Sequence, residues 1–198
     1  MKKIHICLFV GILLFVGQVH AQRSGFNAGY VVTLSNDTIP GMIRDRSVVS
    51  NCQIAVFIDE QNVKTRYRPR KLKGYTVGGT VYRSFVLPTS LIGQSAFMIE
   101  LVSGRFTLYL HYRQRQSAGT DANGVVFNDS WVEENYYLQM GKSERVERIR
   151  SLGFRSQMRS LLADDEMLAA RLSTKEFRYR DIEELISIYN RNFEEGGR

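Results

Sequence analysis

Short apolar runs broken by turn residues fill the chain from about residue 29 to residue 149, and a helical period replaces them afterwards. "YVVTL" and "TIPGMI" flank Ser35, Asn36 and Asp37, which predicts a hairpin over residues 29–43. Pro40 has no amide to donate, so the second of these strands is expected at a sheet edge or bent there. "CQIAVFI", "VKTRYRP", "GYTV", "GTVYRSFVL" and "SAFMIELV" continue the series, with Gly78 and Gly79 as a turn or bulge. In "RFTLYLHYR", Phe106, Leu108, Leu110 and Tyr112 should face one way and Thr107, Tyr109 and His111 the other. "QRQSAGTDANGVV" lacks a period and reads as a long mobile loop, after which "WVEENYYLQM" and "ERVERIR" close the β part.

Beyond Ser151, Phe154, Met158, Leu161 and Leu162 recur at helical spacing, as do Ile182, Leu185, Ile186 and Tyr189. Asp164 would cap a short middle helix holding Met167, Leu168 and Leu172, and Ser173 with Glu176 resembles a capping box for the last helix. The expected fold is α+β. An antiparallel β-rich part over 27–150, as a meander, open sheet or small barrel, is capped by about three C-terminal helices over 151–195.

The first residues change the picture of where this fold works. "MKKIHICLFVGILLFVGQVHAQ" has Lys2 and Lys3 ahead of an apolar run, then Val19 and Ala21 at the positions a signal peptidase reads. Residues 1–21 are therefore expected to be a signal peptide, leaving a single domain over 22–198 that is exported to the periplasm or associated with the outer membrane. The apolar run is shorter than the ~20 residues a membrane-spanning helix needs, and no transmembrane segment is expected after cleavage. Cys7 is not placed as a lipoprotein cysteine. Net charge falls from +7 to +5 on losing Lys2 and Lys3, with 25 basic against 20 acidic residues.

Cleavage also takes His5, His20 and Cys7, so one thiol, Cys52, and one imidazole, His111, remain. An internal disulfide and a Cys/His zinc site are both excluded on that count. No phosphate-binding loop or Gly-x-Ser-x-Gly elbow is present, and no cofactor is expected. Cys52 and His111 could form a nucleophile–base pair across a sheet, or simply pack as strand residues. Glu133 and Glu134 lie among Trp131, Tyr136 and Tyr137, a grouping that can hold a sugar; strand alternation lets only one of the two acids share a face with Trp131. Trp131, Glu134 and Tyr136 are the candidate aromatic and acidic patch. Asp121, Asn123 and Asp129 carry oxygen ligands for Ca²⁺ but lack EF-hand spacing.

The most ordered polar feature is "KTRYRPRKLK", in which an extended strand would project Lys64, Arg66, Arg68 and Arg70 from one face. Nucleic acid is the common partner of such a ribbon, but export excludes it in favour of an anionic glycan or lipid, or another envelope protein. A solvated sheet edge guarded by charge is the plainer reading. Arg145, Arg148, Arg150, Arg155 and Arg159 gather at the β-to-α junction and would reinforce the ribbon if folding brought them to it. Polar ribbons and terminal helices do not fit the apolar girdles of an outer-membrane barrel.

The "GYVVTLSNDTIPGMI" hairpin, "LVSGRFTLYLHY", "NYYLQM" and the terminal "LISIYNRN" resemble a broad group of secreted, uncharacterised proteins of Bacteroidota. Their shared pattern is an N-terminal GYxxxLxxDTIxGxI hairpin and a C-terminal helix carrying Tyr-Asn. The resemblance implies an envelope or surface address in a Gram-negative bacterium and carries no activity; Pro40 stands where the group more often has a polar residue. The functional expectation is an exported, non-enzymatic envelope protein that binds another envelope component or an anionic ligand. The alternative is a periplasmic hydrolase acting on a glycan or peptide.

Overall fold

A computed structural model of the chain describes residues 24–88, 93–120 and 123–196; the expected leader and Asp121 lie outside the described residues. The predicted hairpin is β1 (Phe26–Val32) against β2 (Thr38–Arg44). Its loop closes with Thr33 N–H donating to the Asp37 carbonyl (2.9 Å), and Asn36 takes the left-handed φ of 73°. Short helix α1 (Val48–Gln53) leads to β3 (Ala55–Ile58) and β4 (Lys64–Tyr67). The chain then makes a 3-10 turn (Pro69–Lys71) and returns to the other side of β1 as β5 (Gly74–Val77). Gly78 and Gly79, both at positive φ, turn it into β6 (Thr80–Val86), as a two-residue hairpin loop of the primed kind requires. β7 (Ser95–Val102), β8 (Phe106–Thr120), β9 (Val126–Met140) and β10 (Glu147–Arg148) complete an open, ten-stranded antiparallel sheet. The strand order is β10-β9-β8-β7-β6-β5-β1-β2-β3-β4, two meanders joined where β5 pairs with β1.

Pro40 sits inside that order, not in an edge strand. Its register partner on β1 is Tyr30, and β3 reaches β2 only at Met42 and Ile43. The flank of β2 at Pro40 is therefore a local edge, where a missing amide breaks no ladder. Gly41 is needed close by, since a side chain there would run into the Ile58 carbonyl and the Phe57 ring.

The sheet's two faces are filled differently. On one face α1 packs against β7 and β8, enclosing Val31, Ile43, Cys52, Phe57, Tyr75 and Phe97. Farther along, the same face carries Phe106, Leu108 and Leu138 under the C-terminal helices. These are α2 (Phe154–Leu161), α3 (Glu166–Ser173) and α4 (Ile182–Gly196). The opposite face holds a smaller cluster of Leu87, Ala96, Met98, Tyr109, Tyr137 and Val146. The α+β class, the open sheet and the three terminal helices follow the sequence pattern, with α1 as an addition.

The helix ends differ from their expected signals. Asp165, not Asp164, caps α3, accepting from the Leu168 N–H at 2.9 Å. Asp164 instead accepts from the Tyr189 hydroxyl and pairs with Arg105 at 2.7 Å. Ser173 ends α3 and Glu176 forks onto Arg171, so neither begins α4; a 3-10 turn (Tyr179–Asp181) does, with Asp181 accepting from the Arg178 N–H. Within α3 Met167 points to solvent, while Leu168 and Leu172 are buried.

Tyr189 and Asn190 fasten α4 to the sheet. The Asn190 side chain accepts from the Phe106 N–H (2.9 Å) and donates to the Phe106 carbonyl (2.7 Å), acting as a short extra strand. Tyr189 stacks on the Phe106 ring at 4.7 Å. Gly104 makes the approach feasible, since a side chain there would collide with the Asn190 amide.

Candidate functional site

The cationic segment starts at the sheet edge. β4 bonds to β3 on one side and, among the described residues, has no strand on the other. Thr65 and Tyr67 pair with Phe57 and Ala55 and turn inward, Tyr67 reaching the core, which leaves Lys64 and Arg66 on the outward alternation. Arg68 lies one residue past β4 but keeps an extended backbone (φ −83°, ψ 157°), so it continues their period.

Arg70 departs from the predicted ribbon. Pro69 begins the 3-10 turn and reverses the chain before Arg70 can join the row. The Arg70 guanidinium reaches across to the Gly93 carbonyl and the Ser95 hydroxyl, and Ser84 donates to the Pro69 carbonyl. These bonds hold the turn over β6 and β7. The result is an open cleft of about 450 Å³ lined by Arg66, Arg68, Pro69, Arg70, Lys71 and Ser95. Four of these six carry positive charge and none a carboxylate. No ion pair joins Arg66, Arg68 or Lys71 to an acid among the described residues. Such a cleft offers phosphate or carboxylate oxygens several donors without a competing acid.

The junction arginines do not join it. Arg148 and Arg150 line a separate cleft of about 1050 Å³ beside α2, where Gln157 bonds the Glu147 carboxylate, the Arg148 carbonyl and the Arg150 N–H. Arg155 lines a third, of about 320 Å³, with Arg178 and Tyr179. Arg159 donates to Ser173 and the Arg145 N–H to the Ser143 hydroxyl. Among the described residues none of these five lines the β4 cleft.

The aromatic and acidic patch is divided by the sheet. β9 pairs with β8 without a break from Phe106↔Met140 to Thr120↔Val126, so its side chains alternate strictly. Trp131 shares a face with Glu133, while Glu134 and Tyr136 lie on the other, where Tyr136 packs edge-on to Tyr179. Glu133 bridges Arg115 (2.6 Å) and Arg148 (3.3 Å). The Arg115 hydrogen bond, against the opposing effect of burial, holds the Glu133 carboxyl below the usual carboxylate range. A strongly ionised, doubly paired acid is poorly suited to donate a proton to a glycosidic oxygen.

Cys52 and His111 are on opposite faces. Cys52 lies in α1, not at the start of a strand, fully buried, with its thiol at the Tyr112 backbone; burial pushes its pKa up to about 11. His111 alternates with Tyr112 and packs toward Tyr137, where burial, with Arg113 adding to it, pushes its pKa down to about 4. A protonated thiol and a neutral imidazole separated by the sheet cannot act as a nucleophile–base pair. Of the Ca²⁺ candidates, Asp129 is an exposed β9 residue opposite Ser117, and no acid or imidazole cluster fit for a metal occurs among the described residues.

The expected loop is the largest surprise. Residues 113–120 and 126–133 are the far ends of β8 and β9, a two-stranded arm beyond the last β7 contact at Leu110. Val126 is 76% exposed, Val125 61% and Trp131 49%. The Phe127 ring covers Gly119 across the register. The signal that could have found the arm is Asn123 followed by Gly124, a strong hairpin dipeptide, with Gly124 at φ 82°. Among the described residues no helix is long and apolar enough to cross a membrane. The chain matches no protein-family model, and neither a curated protein nor a solved structure is detectably similar to it.

Proposed function

We propose that this protein is an exported, non-enzymatic binding module of the cell envelope, and that the β4 cleft receives the anionic groups of a glycan or lipid. One observation carries the reading: Arg66, Arg68, Arg70 and Lys71 converge on one cleft that no carboxylate lines among the described residues. The leader pattern and the resemblance of the hairpin and the Tyr-Asn helix to secreted Bacteroidota proteins support an envelope address. The rival reading, a periplasmic hydrolase, loses its nucleophile–base pair with Cys52 and His111 on opposite faces.

The test is co-sedimentation with vesicles containing phosphatidylglycerol, and retention on polygalacturonate for the glycan source. Binding should fall steeply as salt rises, because exposed charges are screened. At about 1 kcal/mol for each basic residue near an anionic surface, Arg66→Ala with Arg68→Ala should weaken vesicle binding roughly 30-fold. Equal binding to uncharged vesicles, or full binding by the double variant, would remove the cleft from the account.

A further inference from the structure

Among the described residues the sheet has two open edges whose strands carry opposite charge. At one end, the outward positions of β4 and its extension are Lys64, Arg66 and Arg68. At the other, β10 covers β9 only at Tyr137 and Leu138, and the Ile149 N–H adds one bond to the Tyr136 carbonyl. From Val126 to Asn135, β9 has no strand on that side among the described residues. This stretch carries Asp129, Glu133 and Glu134 and no base, whereas the arm segment of β8 carries Arg113 and Arg115 and no acid.

The two edges also match in period. On one face of β9, Asp129, Trp131 and Glu133 follow one another at intervals of two residues, the spacing of Lys64, Arg66 and Arg68. Laid side by side in either direction, Asp129 meets a base, Arg66 meets the Trp131 ring, and the remaining base comes beside Glu133, which already bridges Arg115 and Arg148. Cross-strand ion pairs and an arginine on an indole face are both favourable contacts. Asp129 has no acid–base partner among the described residues, and Trp131 is half exposed. Unpaired strand edges bond readily to another strand, and a two-stranded ribbon is marginal alone.

We infer that a second copy of this chain is the occupant: β4 of one molecule adds to the arm edge of β9 in the next. Charge chooses this pairing over the others. β4 against β4, or β9 against β9, would align like charges, and β4 against the arm segment of β8 would set Lys and Arg against Arg113 and Arg115. The contact is head-to-tail, so assembly grows into a chain or closes as a ring. It goes beyond the ligand cleft, sharing Arg66 and Arg68 with it but requiring no ligand.

The asymmetry supplies the test. Three forms of the full chain, expressed with its own N-terminus and allowed to mature, are examined by sedimentation velocity over a concentration series at low and high salt. The parent should gain mass with concentration and lose it with salt. Arg66→Glu, blocked at β4, and Asp129→Lys with Trp131→Ala, blocked at the arm, should each stay monomeric. Mixed in equal amounts they should give a dimer and nothing larger, because one intact edge of each kind remains. All changes are at exposed positions, and far-UV circular dichroism confirms folding. A parent that is monomeric throughout, a variant that still self-associates, or a mixture that does not dimerise overturns the proposal. The arm variant leaves the cleft intact and should bind phosphatidylglycerol vesicles as the parent does, so failure of assembly and failure of the cleft are read separately.

Discussion

The same two strands, β8 and β9, serve two regions built in opposite ways. Near Phe106, Leu108 and Leu138 they form the floor of a core roofed by α2, α3 and α4. Beyond Leu110 they run on as an arm with Trp131, Val126 and Val132 in solvent. Backbone pairing is continuous across both, so the difference lies in what the side chains bury. Stability comes from the covered half, and the exposed half is free to serve as a contact surface.

This contrast can be broken from its stable side first. Leu185→Ala, at a fully buried position on the inner face of α4, should cost about 4 kcal/mol by urea denaturation, since a core cavity adds to the lost transfer energy. Asn190→Ala should cost about 3 kcal/mol, because it leaves the Phe106 N–H without its partner. A cost below 1 kcal/mol in either would mean that the helices are not fastened as described.

His111 gives a pH test. Above about pH 6.5 it is neutral in both folded and unfolded chains. Between there and about 4, the unfolded chain takes a proton that the buried ring refuses. Stability should therefore fall by up to roughly 3 kcal/mol across that window. Replacing His111 by Gln should flatten the profile between pH 6.5 and 4; an unchanged slope would place the titration elsewhere.

Arg105→Ala removes a half-exposed ion pair with Asp164 and a guanidinium 3.9 Å from the Phe193 ring. It should cost about 1 kcal/mol. Trp131→Ala on the arm should be the mildest, within about 0.5 kcal/mol in dilute protein, since its ring is half in solvent. A loss like that of Leu185→Ala would show that the arm is part of the core.

The regions also differ in how far the sequence disclosed them. The covered half was legible: Phe106, Leu108 and Leu110 at alternate positions of β8 and the stripe of Ile182, Leu185, Ile186 and Tyr189 mark the two apolar surfaces that are buried. The arm was not, because a ribbon wet on both faces has no hydrophobic period to betray it. Helix α1 was missed for another reason. Val48–Gln53 is under two turns long and opens with two β-branched residues; its helix is held by the Ser47 cap and by burial of Asn51 and Cys52. Of the candidate site, Lys64, Arg66 and Arg68 keep the predicted alternation, whereas Arg70 is moved by the turn at Pro69 into a bond with Ser95. That turn converts a straight ribbon into a cleft, a tertiary consequence that strand spacing does not contain.

The division within β8 and β9 is measured most directly by hydrogen exchange along the two strands in dilute protein. Amides of residues 106–110 and 136–140 should exchange orders of magnitude more slowly than those of 113–120 and 126–133. Uniform protection from residue 106 to residue 120 in the monomer would contradict the account.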